Sequence, residues 1–307
     1  MPEDFALQSA GASRLPRSPV VTLLIASFGT LLVLVDYTSP MTTLAPTAVS
    51  LHAGPTAQTW ILTGMLVGLS ALLLTMGSAA DDFGRKRVFG SGAALLVLSS
   101  VLSSVAPNNA LFLVGRVLQG CAAAAILAPS LGLVGQAYPS GPARVRATGV
   151  WGAAVGLGIA VGPVYAALME RTAGWRSVYW GMSLLAAALL LMTAFGLTES
   201  RNEQRRKLDP LGVLTFAAGS AALIAGLAEG RYGWGRGIVL ALLALGVLML
   251  AAFVLAESRV AEPMLDLALF RNPGFIVSCS GALFTGLSIV GLMSYLPTVM
   301  EKALGES

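Results

Sequence analysis

Long apolar runs separated by short polar segments make up most of the chain. Each run has about 19 to 27 residues, and about 20 apolar residues are enough for an α-helix to cross a bilayer. The pattern therefore predicts an all-α polytopic membrane protein with nine spans. We place these spans at residues 20–46, 56–80, 88–106, 110–136, 146–169, 176–199, 210–228, 237–257 and 274–299.

The composition excludes an ordinary soluble domain. Only 11% of the residues are charged and 56% are hydrophobic, whereas about a quarter of the residues in a soluble domain are charged. The mean hydropathy is +0.78. The net charge of +4 does not indicate a nucleic-acid partner, because the basic residues lie in loops where membrane topology accounts for them. The partner that the composition indicates is the lipid bilayer.

The basic residues also predict the orientation of the chain. With the N-terminus inside, thirteen of the nineteen Lys and Arg residues fall in inner segments and five in outer ones. Cytoplasmic loops of membrane proteins carry such an excess of cations. We therefore expect a multi-pass protein of the cell membrane, with residues 1–19 as a cytoplasmic tail and residues 200–209 and 258–273 as cytoplasmic loops.

No pattern of catalytic or metal-binding residues occurs in the sequence. Cys121 and Cys279 lie in separate apolar runs, without the C-x-x-C spacing that is typical of metal and redox sites. There is no nucleophile elbow, no cluster of histidines and carboxylates and no phosphate-binding loop. We predict that the protein is not an enzyme and that it holds no metal or cofactor.

A charged turn at residues 77–89 carries the most informative motif. Three adjacent cations place it on the cytoplasmic side, and we expect Gly84 to permit a tight turn and Gly77 a close helix approach. The segment resembles the loop after the second span of the major facilitator superfamily, G-x-L-a-D-r-x-G-r-k. The matching residues are Gly77, Asp81, Gly84, Arg85 and Lys86. The resemblance implies that they form a conformational switch at the inner face.

Two charged residues lie well inside predicted spans, Asp36 in the first and Arg116 in the fourth. A charge in lipid is costly, so both should face the interior of the bundle. At helical rise, Arg116 lies about 9 Å and Asp36 about 15 Å from the outer ends of their spans, which predicts broadly similar depths. Their surroundings resemble the L-D-x-T and R-x-x-q-G motifs of the same superfamily. We interpret Asp36 as the site of proton or cation coupling, tuned by Arg116.

Two simpler interpretations of these residues stay open. Asp36 and Arg116 could merely hold the first and fourth spans together, or Arg116 could extend outward to the lipid headgroups. We expect Pro40 to kink or loosen the first span just beyond Asp36. The residues that we predict to line a substrate cavity are Tyr37, Met41, Met65 and Gln119.

Glycines in the fifth run are spaced for close helix packing. Gly152/Gly156 and Gly158/Gly162 are small-x-x-x-small pairs. The ending Gly158-x-x-x-Gly162-Pro163 resembles the motif associated with antiporters of the superfamily. The resemblance implies that this face packs against the second half of the carrier, and that Gly158, Gly162 and Pro163 shape it.

Later segments resemble the fourteen-span drug:proton antiporters of the superfamily. Residues 175–179 are similar to the W-R-x-x-F element of drug exporters, and residues 269–275 to the L-F-x-N-x-x-F lead into their second half. The implied domains are a six-span N-terminal bundle at 20–199, a two-span insert at 210–257 and the first span of the C-terminal half at 274–307. On this interpretation the chain is truncated and lacks most of its C-terminal half.

The function that the resemblance implies is outward export of amphipathic small molecules, cations among them, driven by proton entry. Two alternatives stay open, a metabolite permease on the same scaffold and a truncated membrane protein that does not transport. The substrate site of such carriers lies between two helical halves. We therefore expect residues 1–307 not to transport on their own.

Overall fold

The computed structural model describes residues 18–200, 210–259 and 267–304, with side chains for 18–200, 210–259 and 269–288. The predicted tail lies outside these ranges up to residue 17, as do residues 201–209 and 260–266 of the two predicted inner loops. The chain forms two compact units, Met1–Ala256 and Glu257–Ser307.

The first unit is an all-helical bundle. Eight helices of the described chain are long and apolar enough to cross a membrane, and they correspond to the first eight predicted spans. They are α1 (Pro19–Ser50), α2 (Pro55–Phe83), α3 (Arg85–Val105), α4 (Asn109–Ala137), α5 (Gly141–Ala173), α6 (Arg176–Gly196), α7 (Pro210–Gly230) and α8 (Gly237–Glu257).

The second unit contains a short 3₁₀ helix, Leu267–Arg271, followed by α9, Pro273–Leu304. The rings of Phe270 and Phe275 pack edge to face across the junction, with centroids 5.2 Å apart. Within the described side chains, the apolar part of α9 is Pro273–Ser288. The ninth span therefore stays a prediction, although a helix is present where the sequence places it.

Several helices are longer than the apolar runs that predicted them. α1 continues to Ser50 and α5 begins at Gly141, whereas the hydropathy pattern placed these limits at 46 and 146. Main-chain hydrogen bonding does not stop where the side chains become polar. The ends instead follow local signals: Pro19 and Pro55 stand in the first turns of α1 and α2, and Asn108 caps α4 by accepting a 2.9 Å bond from the Leu111 amide.

The charged turn predicted at residues 77–89 is wrong in its extent. α2 runs through Asp81 to Phe83, and α3 begins at Arg85, so that a single residue, Gly84, separates the two helices. Gly84 has φ 111°, which side-chain-bearing residues rarely adopt. One glycine thus reverses the chain, and the motif residues on either side of it are helical.

Helix α4 packs against α1, α2 and α3 and forms the centre of the bundle. It approaches α2 with main chain against main chain: a Cβ on Gly68 would meet the carbonyl oxygen of Val117, and a Cβ on Gly120 would meet that of Met65. Only glycine permits this distance. The close approach predicted for Gly77 is wrong, because a Cβ there would have its nearest neighbour, Ala128, 4.0 Å away.

The main apolar core lies between α3, α4 and α6, with α1 beside it. Its largest fully buried apolar side chains include Phe89, Leu96, Ile126, Met182 and Leu189. Buried apolar packing fills the space around α4, and it leaves the ionisable groups of α1 and α4 away from water and lipid.

Helices α7 and α8 form a hairpin. Gly219 and Gly226 of α7 lie against Leu250 and Leu243 of α8, and the ring centroids of Phe216 and Phe253 are 5.1 Å apart. α7 also packs along α2. The sequence predicts two inserted spans, and the structure shows that the first of them, α7, covers α2.

Candidate functional site

The two ionisable residues predicted inside the spans form an ion pair in the centre of the bundle. Asp36 of α1 is 1% exposed and Arg116 of α4 is fully buried. The Nη1 atom of Arg116 lies 3.5 Å from Oδ1 of Asp36. The prediction that they share a depth and face inward is confirmed, and burial excludes the interpretation in which Arg116 reaches the headgroups.

The ion pair is a loose one. Hydrogen bonds between a guanidinium and a carboxylate are usually about 2.7–2.9 Å long, and neither carboxylate oxygen of Asp36 accepts a hydrogen bond from the described residues. Arg116 donates from Nη1 to Oε1 of Gln119 at 2.8 Å, and from Nη2 towards Sδ of Met65 at 3.5 Å. The charges attract each other while the carboxylate oxygens stay available.

A proline supplies a further acceptor for Arg116. Residue i of a helix normally donates its N–H to the carbonyl oxygen of residue i−4, and Pro40 has no N–H. The carbonyl oxygen of Asp36 is therefore without its helical partner, and Nη1 of Arg116 donates to it at 3.3 Å. Pro40 lies inside α1, where its effect at this site is to create a main-chain acceptor beside the carboxylate.

The predicted cavity-lining residues divide into two groups. Met65 is 1% exposed and Gln119 is fully buried, and both contact Arg116. In this structure they hold the guanidinium, and their place in a substrate cavity stays a prediction. Tyr37 and Met41 are half-buried, and their role in a cavity stays a prediction.

A fourth helix takes part through Ser100 of α3, which the sequence analysis missed. Its Oγ accepts a 3.2 Å hydrogen bond from Nε2 of Gln119. Together with Met65 of α2, this contact connects the ion pair to all of the first four helices. A lone serine in an apolar run has no pattern that distinguishes it from serines bonded to their own helix, so the signal was absent.

The antiporter-like glycines of α5 pack against the helix that carries Asp36. A Cβ on Gly158 would lie 2.7 Å from the Leu31 carbonyl oxygen, and a Cβ on Gly162 would meet Oγ1 of Thr38. Thr42 donates to the Pro163 carbonyl oxygen at 3.4 Å. The expectation that this face awaits the second half of the carrier is wrong, because α1 already occupies it.

The other glycine pair of α5 is open. A Cβ on Gly152 or Gly156 would have nothing within 4 Å among the described residues. The two pairs therefore lie on different faces of the same helix, although their spacing in the sequence is identical.

The motif around Gly84 joins four helices. Arg85 donates from Nη2 to Oδ1 of Asp81 at 2.7 Å, one turn back, and from Nη1 to the Gly132 carbonyl oxygen of α4 at 3.2 Å. The Lys86 ammonium donates to the Ala194 carbonyl oxygen of α6 at 2.8 Å. The predicted switch residues are thus brought together, except that Gly77 lies two turns away from the reversal.

Glu199, just after α6, is a second residue that the sequence analysis missed. Its Oε1 accepts hydrogen bonds from the main-chain amides of Lys86 and Ser200, each at 3.1 Å, and its Oε2 lies 3.5 Å from Nε of Arg87. A carboxylate at the first turn of a helix satisfies free N–H groups and complements the helix dipole. Its signal in the sequence is a single acid at the end of the predicted span 176–199, on the same side of the membrane as the three cations at residues 85–87.

Most of the chain, including nearly all of the helical region, matches one family. The model of the Major Facilitator Superfamily matches residues 26–307. The chain belongs to the major facilitator superfamily. The resemblance drawn from the motif residues is confirmed at this level.

Three proteins similar to this chain have names that concern drug or antibiotic resistance. The multidrug resistance protein Stp of Mycobacterium tuberculosis is 28% identical over 290 residues, which are 94% of this chain and 54% of Stp. The tetracenomycin C resistance and export protein of Streptomyces glaucescens is 31% identical over 305 residues, 96% of this chain and 55% of that protein. The puromycin resistance protein pur8 of Streptomyces alboniger is 34% identical over 265 residues, 85% of this chain and 52% of that protein. The chain spans about half the length of these relatives.

A solved transporter structure has a similar fold. The crystal structure of the human organic anion transporter MFSD10 (TETRAN) matches with a TM-score of 0.50 and 20% sequence identity, over 69% of this chain and 56% of that one. At this identity the likeness concerns the fold alone. It agrees with a multi-pass helical membrane protein, which is the predicted fold class.

Proposed function

We propose that this superfamily member exports amphipathic small molecules, cations among them, in exchange for protons. The observation that carries the proposal is the buried Asp36 carboxylate, 3.5 Å from Arg116 and without a hydrogen bond from the described residues. A carboxylate in this position can bind a proton, or the positive charge of a substrate, without first breaking a hydrogen bond.

The balance of forces at Asp36 supports coupling. Burial disfavours the charged form of a carboxylate, whereas a neighbouring guanidinium favours it. Because Gln119 of α4 and Met65 of α2 hold Arg116, a small movement of α1 past α4 would change its distance from the carboxylate. Proton affinity would then follow conformation, which is what exchange of a proton for a substrate requires.

Two clusters would transmit that movement. Gly158 and Gly162 keep α5 against α1, because the absence of their side chains lets the two helices approach closely. The Asp81–Arg85 pair, with Gly132 and Glu199, ties the α2–α3 junction to α4 and α6. We propose that the first cluster is the packing face of an antiporter. The second cluster is the conformational switch at the inner end.

The architecture that we propose is that of the fourteen-span drug:proton antiporters. Residues 20–199 would form the N-terminal six-span bundle, 210–257 the two-span insert, and 274–307 the first span of the C-terminal half. The substrate would bind between the halves, lined in part by Tyr37 and Met41. The printed names of the three relatives, which concern drugs and antibiotics, favour an exporter over a metabolite permease.

Proteoliposomes provide the test. Residues 1–307 are joined to the remaining half of the Streptomyces glaucescens relative, since the chain spans 55% of that protein. Under an imposed proton gradient, we expect the chimera to export a cationic dye and residues 1–307 alone not to. Asp36→Asn should keep dye binding and lose gradient-driven export, whereas Gly156→Ala, on the open face of α5, should export normally.

Three other results of this experiment would each favour one of the alternative interpretations. Full gradient-driven export by the Asp36→Asn chimera would leave Asp36 and Arg116 as a structural pair. A folded chimera that accumulates a metabolite and ignores the dye would indicate a permease. No movement of any solute by a folded chimera would favour a membrane protein that does not transport.

The orientation belongs to the same proposal. We place the N-terminus and residues 200–209 in the cytoplasm of a cell whose plasma membrane holds the protein. In a variant lacking Cys121 and Cys279, a cysteine introduced at Gln204 should be reached by an impermeant maleimide only after the cells are opened. Labelling in intact cells would reverse the orientation.

A further inference from the structure

The segment that joins α7 to α8 binds the first two turns of α2. The Tyr232 hydroxyl lies 2.6 Å from the Pro55 carbonyl oxygen and 2.6 Å from Oγ1 of Thr59, and Arg231 donates to the same Oγ1 at 3.0 Å. The indole Nε1 of Trp60 donates to Oε1 of Glu229 at 2.9 Å. We call this set the hairpin latch: Thr59, Trp60, Glu229, Arg231, Tyr232 and Arg236.

Glu229 is the anchor of the hairpin latch. It is 9% exposed, at the end of α7, and its Oε2 lies 3.5 Å from Nη1 of Arg236. The carboxylate therefore has an indole donor on one oxygen and a guanidinium near the other. A buried carboxylate with such partners is costly to move, because separation would leave its charge uncompensated.

Elsewhere, α2 meets α4 at a close contact between main chains. Gly68 and Gly120 bring these main chains together, so the contact depends on the position of α2 along α4. The short turn from α1 restrains the Pro55 end as well, through the bond from Gln58 to the Ala53 carbonyl oxygen at 3.1 Å.

The latch lies one to two turns from the central ion pair. Trp60 is five residues before Met65, or about 7.5 Å along the helix axis. Sδ of Met65 is the acceptor for Arg116 Nη2 at 3.5 Å, and a Cβ on Gly64 would lie 3.4 Å from Cβ of Arg116. A shift of α2 along α4 would carry both contacts away from the guanidinium.

We propose that Glu229 and Trp60 are positioning residues for the coupling site: the α7–α8 hairpin fixes α2 along α4, and α2 in turn fixes the side chain of Arg116 beside Asp36. The part of the proposal that concerns coupling rests on the proposed function. The part that concerns the position of α2 does not. The inserted helices then have a role in the transport bundle without lining its substrate path.

Cys121 has its main chain at the α2–α4 contact, and the reactivity of its thiol is the readout. It is half-buried on α4, where a Cβ on Gly68 would lie 2.9 Å from its main-chain nitrogen. In membranes containing the full chain with Cys279→Ser, we measure the rate of Cys121 alkylation by N-ethylmaleimide. Trp60→Phe, which keeps the ring and loses the N–H, and Glu229→Ala should each raise the rate about fivefold, equivalent to roughly 1 kcal/mol.

A double-mutant cycle separates the latch from general loosening. Residues that act through one contact are not additive, so Trp60→Phe with Glu229→Ala should react no faster than either single variant. Ser220→Ala is the matched control on α7, because the Ser220 hydroxyl donates to Phe216 of its own helix at 2.7 Å, and its rate should equal that of the parent. Unchanged rates in both single variants, or rates that multiply in the double variant, would overturn the latch.

The pH profile of export tests the link to the ion pair. Among the described residues, two tyrosines also interact with the charge of Asp36, Tyr165 of α5 and Tyr179 of α6. In the chimera, Trp60→Phe should move the pH of half-maximal export by at least about 0.5 unit, since a displaced Arg116 changes the proton affinity of Asp36. Ser220→Ala should leave the profile in place.

The alkylation rate of Cys121 and the pH profile of export test different parts of the proposal. Faster alkylation with an unmoved pH profile would overturn the positioning of Arg116, while the hairpin would still hold α2. If the parent chimera exports nothing, the proposed function fails, and the alkylation rates still decide whether the hairpin fixes α2.

Discussion

Arg116 and Asp36 are joined more closely through the main chain than through their charges. Nη1 of Arg116 lies 3.3 Å from the carbonyl oxygen of Asp36 and 3.5 Å from its Oδ1. The main-chain bond exists because Pro40 gives no N–H to that carbonyl. The guanidinium is thus positioned by the backbone of α1 as well as by Gln119, and the carboxylate beside it is not locked in a hydrogen bond.

Removing Arg116 alone should lower the stability of the protein more than removing both Arg116 and the charge of Asp36. Arg116→Ala leaves Asp36 as an uncompensated buried charge, for which we expect a loss of about 3–5 kcal/mol in stability. Adding Asp36→Asn to that variant removes the charge and should recover part of the loss. The thermal midpoint of the detergent-solubilised chain, read by fluorescence-detected gel filtration, measures both. A double variant less stable than Arg116→Ala would contradict a net interaction between the charges.

Pro40→Ala should stabilise α1 and slow export. The alanine N–H can bond the Asp36 carbonyl oxygen, and a proline in a helix interior costs about 3 kcal/mol relative to alanine in model helices. Arg116 then loses an acceptor, so we expect a raised thermal midpoint together with slower dye export by the chimera. Pro46→Ala, in the same helix, is the control that should raise the midpoint and keep the export rate. Equal export rates in both variants would show that the freed carbonyl has no part in coupling.

Gly68→Ala and Gly120→Ala should destabilise the bundle. Each added Cβ would meet a main-chain carbonyl oxygen of the facing helix, which cannot turn aside as a side chain would. Overpacking of this kind costs about 1–3 kcal/mol, and occasionally more. Gly156→Ala has open space around its Cβ, and should be neutral or gain up to about 1 kcal/mol from helix propensity. Thermal midpoints compare the three, and the idea fails if all of them behave alike.

Glu199 should stabilise the first turn of α3 in two separable ways. Glu199→Gln keeps an acceptor for the Lys86 amide and loses the charge, for which we expect a loss of about 0.3–1 kcal/mol. Glu199→Ala also loses the cap and should cost about 0.5–2 kcal/mol in total. Thermal midpoints at low and high salt separate the two parts, because salt screens only the charge. Identical midpoints for both variants at high salt would rule out the cap.

Three features could be predicted from the residues alone: the membrane class, the first eight spans and the inward direction of Asp36 and Arg116. These conclusions follow from local quantities. An apolar run of sufficient length must form a helix in lipid, since its main-chain groups have no other partners there. A charge in that run must face the interior, whichever helix lies opposite.

Tertiary structure decided which surfaces meet. Gly152/Gly156 and Gly158/Gly162 have the same spacing, but within the described part of the chain only the second pair packs, against α1. Met65 is indistinguishable by sequence from a cavity-lining methionine, and it contacts Arg116. A glycine or methionine in an apolar run carries no mark of its neighbour, because close packing depends on the relative position of two helices that are distant in the chain. For the same reason, the docking of Glu229 on Trp60 could be read only from the folded bundle.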